Sequence, residues 1–252
     1  MYKLYQNAFT PWEWQPELKH IAEEEGLICF SSPFDKTSVD FLEAMDVPAY
    51  KIASFEITDI PLIEYVASKM KPVIISTGIA TYEDIEGAIA ACKRVGNDQI
   101  ALLKCTSSYP APVALANLRT IPDMRERFKL PVGLSDHTMS SSVAIASVAL
   151  GARILEKHFI LDRGIGGPDA AFSMNKEEFS EMVRCVREVE MALGKPTYEL
   201  TEKVRNNRKF ARSLFVAQDM YAGDTVTEEN VRSVRPSDGL SPVSYTHLTL
   251  PT

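Results

Sequence analysis

Two of the four histidines, His137 and His158, stand at the ends of two consecutive short apolar runs, Val132–Ser135 and Arg153–His158. Imidazoles at neighbouring strand ends are a pattern that holds a divalent cation, with carboxylate or water in the remaining positions. The same pattern also suits one histidine satisfied in a turn and one in the core. Lys51, Lys104 and Lys157 lie within or at the ends of apolar runs, where an unpaired ammonium is costly. Each is therefore expected to face a bound anion or to form half of a buried ion pair. Ser54, Ser76, Thr77 and Ser135, at adjacent run ends, supply the hydroxyls that a phosphate needs. Glu56 follows Ser54-Phe55 and suits general acid–base work or the binding of a sugar hydroxyl. Asp136, Glu156 and Asp169 are the other acids at or after run ends, Asp136 being equally suited to capping a helix or orienting a neighbour. The Gly-rich stretch Arg163–Asp169 reads as a lid or as a surface loop. His20, on a surface helix, and His247, near the end of the chain, carry no assigned role.

The chain has no Walker or GxGxxG motif, so a nucleotide is not indicated. It also lacks an evident Cys–His or Ser–His–Asp nucleophile arrangement. The chemistry these residues suggest is metal-assisted and anion-binding, without a covalent enzyme intermediate.

The elements that must position them are legible. Nearly continuous apolar runs at Leu27–Ser31, Tyr50–Ser54, Val73–Thr77, Ile100–Cys105, Val132–Ser135 and Arg153–His158 are expected to be strands buried on both faces. Amphipathic segments fill the gaps: Pro16–Glu25, Ser38–Met45, Leu62–Met70, Tyr82–Arg94, Leu118–Phe128 and Ser141–Leu150. A strand–helix repeat of this length predicts a parallel sheet. Polar residues close nearly every run, which favours a TIM-type barrel, whose site draws on all its βα loops, over an open sheet with one switch point. A (β/α)8 barrel needs eight strands, whereas six precede the long helical segment Lys176–Leu193. Beyond Gly194, Thr201–Lys209 is polar and basic, as a linker or short exposed helix would be. Ser213–Val234 then alternates short apolar runs around a turn at Ala222-Gly223-Asp224, with one helical turn at Glu228–Val231 opened by Thr227. Ser241–Thr252 continues neither pattern.

The 252 residues are 45% hydrophobic and 24% charged, with a net charge of -7. That balance argues against nucleic-acid binding, which needs clustered Lys and Arg. No apolar run approaches the ~18 residues that span a bilayer. Cys29, Cys92, Cys105 and Cys185 are scattered, without zinc or redox spacing, as reduced and mostly buried thiols of a cytoplasmic α/β protein would be.

Six of these runs together, Tyr50–Ile57 (YKIASFEI), Ile74–Ile79 (IISTGI), Lys104–Pro110 (KCTSSYP), Val132–Thr138 (VGLSDHT), Glu156–Phe159 (EKHF) and Gly167–Asp169 (GPD), resemble the sialic acid synthase family. The resemblance is collinear from about Tyr5 to Leu240. It implies condensation of phosphoenolpyruvate with an N-acetylated amino sugar to a nonulosonic acid and phosphate. Thr10–Trp14 (TPWEW), Phe30–Lys36 (FSSPFDK) and Ala171–Met174 (AFSM) look most like the pseudaminic acid synthase branch, whose sugar is a 6-deoxy di-N-acetylamino hexose. N-acetylneuraminate, legionaminate and spore-coat relatives share the central motifs. A metal-dependent aldolase or a non-catalytic sugar- or anion-binding barrel are the readings outside the family.

The resemblance implies that His137 and His158 bind a divalent ion, Mn2+ first, with Mg2+ or Co2+ as alternatives. It places phosphoenolpyruvate on Lys51, Ser54, Ser76 and Ser135, and the sugar on Glu56, Ser107, Tyr109 and Asp169. Glu56, His137 and His158 are the implied catalytic groups. Ser107 stands where relatives often carry Asn, which weakens that one carry-over. The implied fold is a (β/α)8 barrel over residues 1–200 lacking its first two βα units, and with them an acid–base Glu and a substrate Lys. A linker follows at 201–210. A truncated antifreeze-like (SAF) domain is expected at 211–240, and a non-native tail at 241–252. Full-length relatives are domain-swapped homodimers, and the chain as it stands is expected to be inactive or nearly so.

Overall fold

Five of the apolar runs pair into one parallel sheet: β1 (Tyr50–Ile52), β2 (Val73–Ser76), β3 (Ile100–Cys105), β4 (Val132–Asp136) and β5 (Leu155–Lys157). Their spatial order is β1-β2-β3-β4-β5, the order of the chain. A sheet wound in one direction has no switch point, so a site can draw on every βα loop. This is a computed structural model, and it describes residues 9–249. The chain divides into two compact units, Met1–Gly194 and Lys195–Thr252.

In the first unit, α1 (Gln15–Glu24) and α2 (Lys36–Ala44) precede the sheet. Helices α3 (Ile60–Ala67), α4 (Tyr82–Arg94), α5 (Thr120–Phe128) and α6 (Ser142–Ala149) fill the four crossovers, and α7 (Lys176–Leu193) follows β5. Local sequence sets their starts. Asp35, Thr81 and Asn175 each accept a backbone N–H from the third residue of the helix, whose side chain returns the bond; these are capping boxes. The left-handed Lys129 (φ 55°) closes α5.

Strand alternation decides what each residue meets. Tyr50, Ile52, Val73, Ile75, Ile100, Leu102, Val132 and Leu134 pack under the helices in the main core. Ile52, Ile75 and Leu102 are fully buried, and each such side chain contributes about 1.5–3 kcal/mol. The register aligns Lys51 with Ile74, Ser76 with Leu103, Cys105 with Ser135, and Ser135 with Glu156. Those residues share the opposite, inner face.

Leu27–Ser31 departs from expectation. Only Ser31 pairs, through an isolated parallel bridge to Tyr50, and Leu27 and Ile28 are 64% and 77% exposed. Strand structure needs a neighbour, and β1 offers this run three residues. Of the four free cysteines, Cys92 and Cys105 are buried, while Cys29 and Cys185 are half-buried. No helix of the described residues is long and apolar enough to cross a membrane.

In the second unit, α8 (Glu202–Asn207), capped by Thr201, leads to β6 (Ser213–Val216) and β7 (Val231–Val234), an antiparallel pair. The turn at Thr227 forms, its carbonyl accepting the Val231 N–H at 3.0 Å. The buried Ser213 donates to the Pro236 carbonyl at 2.6 Å and accepts from the Gly239 N–H at 3.1 Å. Within Ser241–Thr252, where no regular element was expected, Ser244–Thr249 forms a short helix, α9; residues 250–252 lie outside the described ones.

Candidate active site

The inner-face residues and the loops after their strands converge at the C-terminal end of the sheet. Lys51 is buried, and its Nζ donates to Ser76 Oγ at 2.8 Å and lies 3.4 Å from Glu156 Oε2. Ser135 Oγ donates to Glu156 Oε1 at 2.6 Å. Ser54 Oγ accepts the Gly78 N–H at 3.1 Å. A Cβ on Gly78 would stand 2.1 Å from Ser107 Oγ and 2.7 Å from Ser54 Oγ, so any side chain there would displace those hydroxyls. The buried ammonium bonds one serine hydroxyl, and the carboxylate beside it is held by a second; such a donor set suits an anion.

Beside it are the two imidazoles, with ring centroids 5.2 Å apart. His137 Nδ1 lies 3.0 Å from the Thr106 carbonyl; a carbonyl only accepts, so Nδ1 carries the proton and Nε2 keeps its lone pair. His158 Nδ1 lies 3.4 Å from Asp169 Oδ2. Burial is the main influence on His158 and holds its pKa below the ordinary value, towards the neutral ligand form. Burial also pushes His137 down, but its bonds to Cys105 and to the Thr106 carbonyl outweigh that and leave it raised. Tyr109 packs on His137 at 4.2 Å, and Phe172 lies edge-on to His158 at 4.9 Å.

Cys105 links the two halves, its Sγ 3.9 Å from His137 Nδ1. Burial raises its thiol pKa, but hydrogen bonding to His137, Ser54 and Ser135 brings it below the ordinary value.

Over this floor opens a cavity of about 1010 Å3, with Trp12, Phe34 and Phe55 on its apolar side and Glu56, Tyr109, His158 and Asp169 on its polar side. Trp12 is held by stacking on Phe41 at 4.7 Å. Two buried side-chain oxygens here, Glu56 Oε2 and Ser107 Oγ, have no partner, an uncommon state outside ligand sites. Burial raises the Glu56 pKa, so this carboxyl keeps its proton to higher pH than an exposed glutamate.

Among the described residues no cluster of three His, Cys, Asp or Glu side chains forms a metal shell. Two imidazoles with their Nδ1 atoms engaged do fit an open site whose other positions fall to water or substrate oxygen.

A family model described as the NeuB family matches residues 1–198. The chain belongs to the NeuB family. It is 46% identical over 248 residues to a pseudaminic acid synthase of Campylobacter jejuni, covering 98% of this chain and 72% of the relative. The Helicobacter pylori pseudaminic acid synthase is 45% identical over 246 residues, 97% of this chain and 72% of the relative. Among solved structures, the N-acetylneuraminic acid synthetase of Leptospira borgpetersenii superposes with a TM-score of 0.76 at 30% identity. That superposition covers 81% of this chain and 72% of the synthetase.

In this NeuB-family chain, Lys51, Ser54, Ser76, Ser135, Glu56, Ser107, Tyr109, His137, His158 and Asp169 all lie at one end of one sheet. The three lysines divide by strand parity. Lys51 faces the site, whereas Lys157 turns to the helix side and pairs with Asp136 at 2.8 Å, both side chains 2% exposed. Lys104 also faces the helices, donating to Thr106 Oγ1 at 2.6 Å. Asp136 thus serves Lys157 and also accepts the Thr138 N–H at 2.9 Å. Two inner residues escaped the sequence reading. From sequence Glu156 is only a strand-end acid, which its register with Ser135 turns into a site residue; Cys105 reads as an ordinary buried thiol.

Proposed function

We propose that this chain carries the active site for condensing phosphoenolpyruvate with a 6-deoxy di-N-acetylamino hexose, giving pseudaminic acid and phosphate. One observation carries the chemistry: the buried Lys51 ammonium, bonded to Ser76, lies beside a histidine pair under a cavity lined by Glu56, whose pKa burial raises. The identity to pseudaminic acid synthases supports the choice of sugar. On this reading the sheet is a segment of a TIM-type (β/α)8 barrel, with residues 1–200 its synthase domain and 201–210 a linker. Residues 211–240 belong to an antifreeze-like domain, and the working protein is a domain-swapped homodimer of the cytoplasm.

Lys51, Ser54, Ser76 and Ser135 hold the phosphate and carboxylate of phosphoenolpyruvate, the anion taking the place of Glu156 against Lys51. C3 of phosphoenolpyruvate then attacks the open-chain C1 aldehyde of the sugar. Water adds at C2, and the tetrahedral intermediate loses phosphate by C–O cleavage. Glu56 gives its proton to the oxygen that develops at C1. Tyr109, Ser107 and Asp169 orient the sugar, and the aromatic side of the cavity meets its methyl groups. His137 and His158 would hold a divalent ion, Mn2+ first, through Nε2; when bound, it polarises the C1 aldehyde.

The test is phosphate release from phosphoenolpyruvate with a panel of amino sugars, by the chain alone and extended at both ends to the length of its relatives. The 6-deoxy di-N-acetylamino hexose should be consumed in step with phosphate. Aldol products without phosphate, or preference for N-acetylmannosamine, would overturn the reaction or the sugar respectively.

A further inference from the structure

A second cationic pocket lies on the other face of the same strand. Ile100 and Leu102 pack into the helix-side core, and Lys104, two residues on, follows that face to the cleft between α4 and α5. The residue is 7% exposed. Its ammonium has three N–H donors; one meets Thr106 Oγ1 at 2.6 Å, and no carboxylate of the described residues lies within ion-pair distance. Lys51 and Lys157 both have such a carboxylate, Glu156 and Asp136.

Lys104 lines a cleft of about 240 Å3 with Thr77, Tyr82, Thr120, Asp123 and Arg127. Asp123 does not compensate it, because both carboxylate oxygens accept from Arg127 Nε at 2.8 Å. That pair is neutral, so Lys104 is the uncompensated charge of the cleft. A buried cation without a counter-ion loses solvation that nothing repays, and a small anion entering the cleft would compensate it. Burial pushes the Lys104 pKa below its ordinary value, and the more distant charges of Cys105 and Asp136 offset that only in part.

We propose that the cleft between α4 and α5 is a binding site for a small oxyanion of the inorganic phosphate class, with Lys104 as its charged floor. The site is separate from the inner-face anion site, since the two lysines occupy opposite faces of the sheet. It stands whether or not the proposed reaction is correct.

Phosphate binding to the purified chain, followed by calorimetry and 31P NMR, tests this, with Lys51→Ala silencing the inner face. The Lys51→Ala protein should keep one phosphate site, for which sulfate competes. Adding Lys104→Met should weaken that site at least tenfold. Lys104→Gln, which keeps a donor for Thr106 but no charge, should give the same loss while circular dichroism stays native. Loss of all phosphate binding in Lys51→Ala alone would overturn the proposal, as would binding retained within twofold in both double variants.

Discussion

The two lysine–carboxylate pairs on opposite faces of the sheet make an instructive contrast. Lys157 and Asp136 are closed off from water at 2.8 Å, with Asp136 further used by a backbone N–H. Lys51 and Glu156 are looser, at 3.4 Å, with the Glu156 side chain 42% exposed and each also bonded to a serine hydroxyl of its own. The same chemistry is thus a closed fastener on one face and a solvent-accessible contact on the other, which on the proposed reading a substrate anion exchanges. What differs is access: a pair that a substrate anion is to displace must be reachable and imperfectly satisfied.

Inner-face substitutions should therefore alter kinetics, and outer-face substitutions stability. The largest effect is expected for His158→Ala in an active full-length form. Turnover should fall by more than the roughly 10–100-fold typical of losing an outer-shell partner, with Tm little changed; a variant turning over normally would remove the metal assignment. Asp136→Ala should cost about 3–5 kcal/mol by stranding the buried Lys157 charge, measurable by urea unfolding. Asp136 marks the contrast only if the folded fraction of that variant keeps its phosphoenolpyruvate KM. Lys51→Ala should raise that KM about 10–100-fold, the worth of a charge-assisted hydrogen bond, with a Tm near the wild type. An unchanged KM would make Lys51 another fastener. The smallest effect concerns Glu56. Its folded pKa is raised by burial, so its contribution to stability is present below the unfolded value and is lost as pH rises through the folded one. Glu56→Gln should remove that loss, and the Tm advantage of the variant should grow from about pH 4 upward. A constant difference between the two melting curves would show the carboxyl to be freely solvated.

Much of this was legible in the sequence, for particular reasons. Parallel strands buried on both faces must be apolar, so the five-strand sheet announced itself, and so did α4 and α7, whose predicted limits match the helices found. Lys51, His137 and His158 were visible because charge and imidazole are rare in such runs. The partner of each lysine was not, because it depends on register: Glu156 meets Lys51 only through the alignment of β4 with β5. The Leu27–Ser31 run looked like any other strand, since apolar composition does not reveal whether a neighbour is present. Cys105 was passed over because a thiol in a strand resembles a small apolar residue.

Lys104 and Cys105 are adjacent in the chain, yet one belongs to the helix-side cleft and the other to the floor beneath the histidines. A single inserted or deleted residue in β3 upstream of them would exchange their faces. It would drive an ammonium against His137 and hide a thiol among helices, without changing the composition of the strand. Point substitutions can tune either face alone, but this strand tolerates changes in length only in pairs, so the lineage can edit its letters far more freely than its spacing.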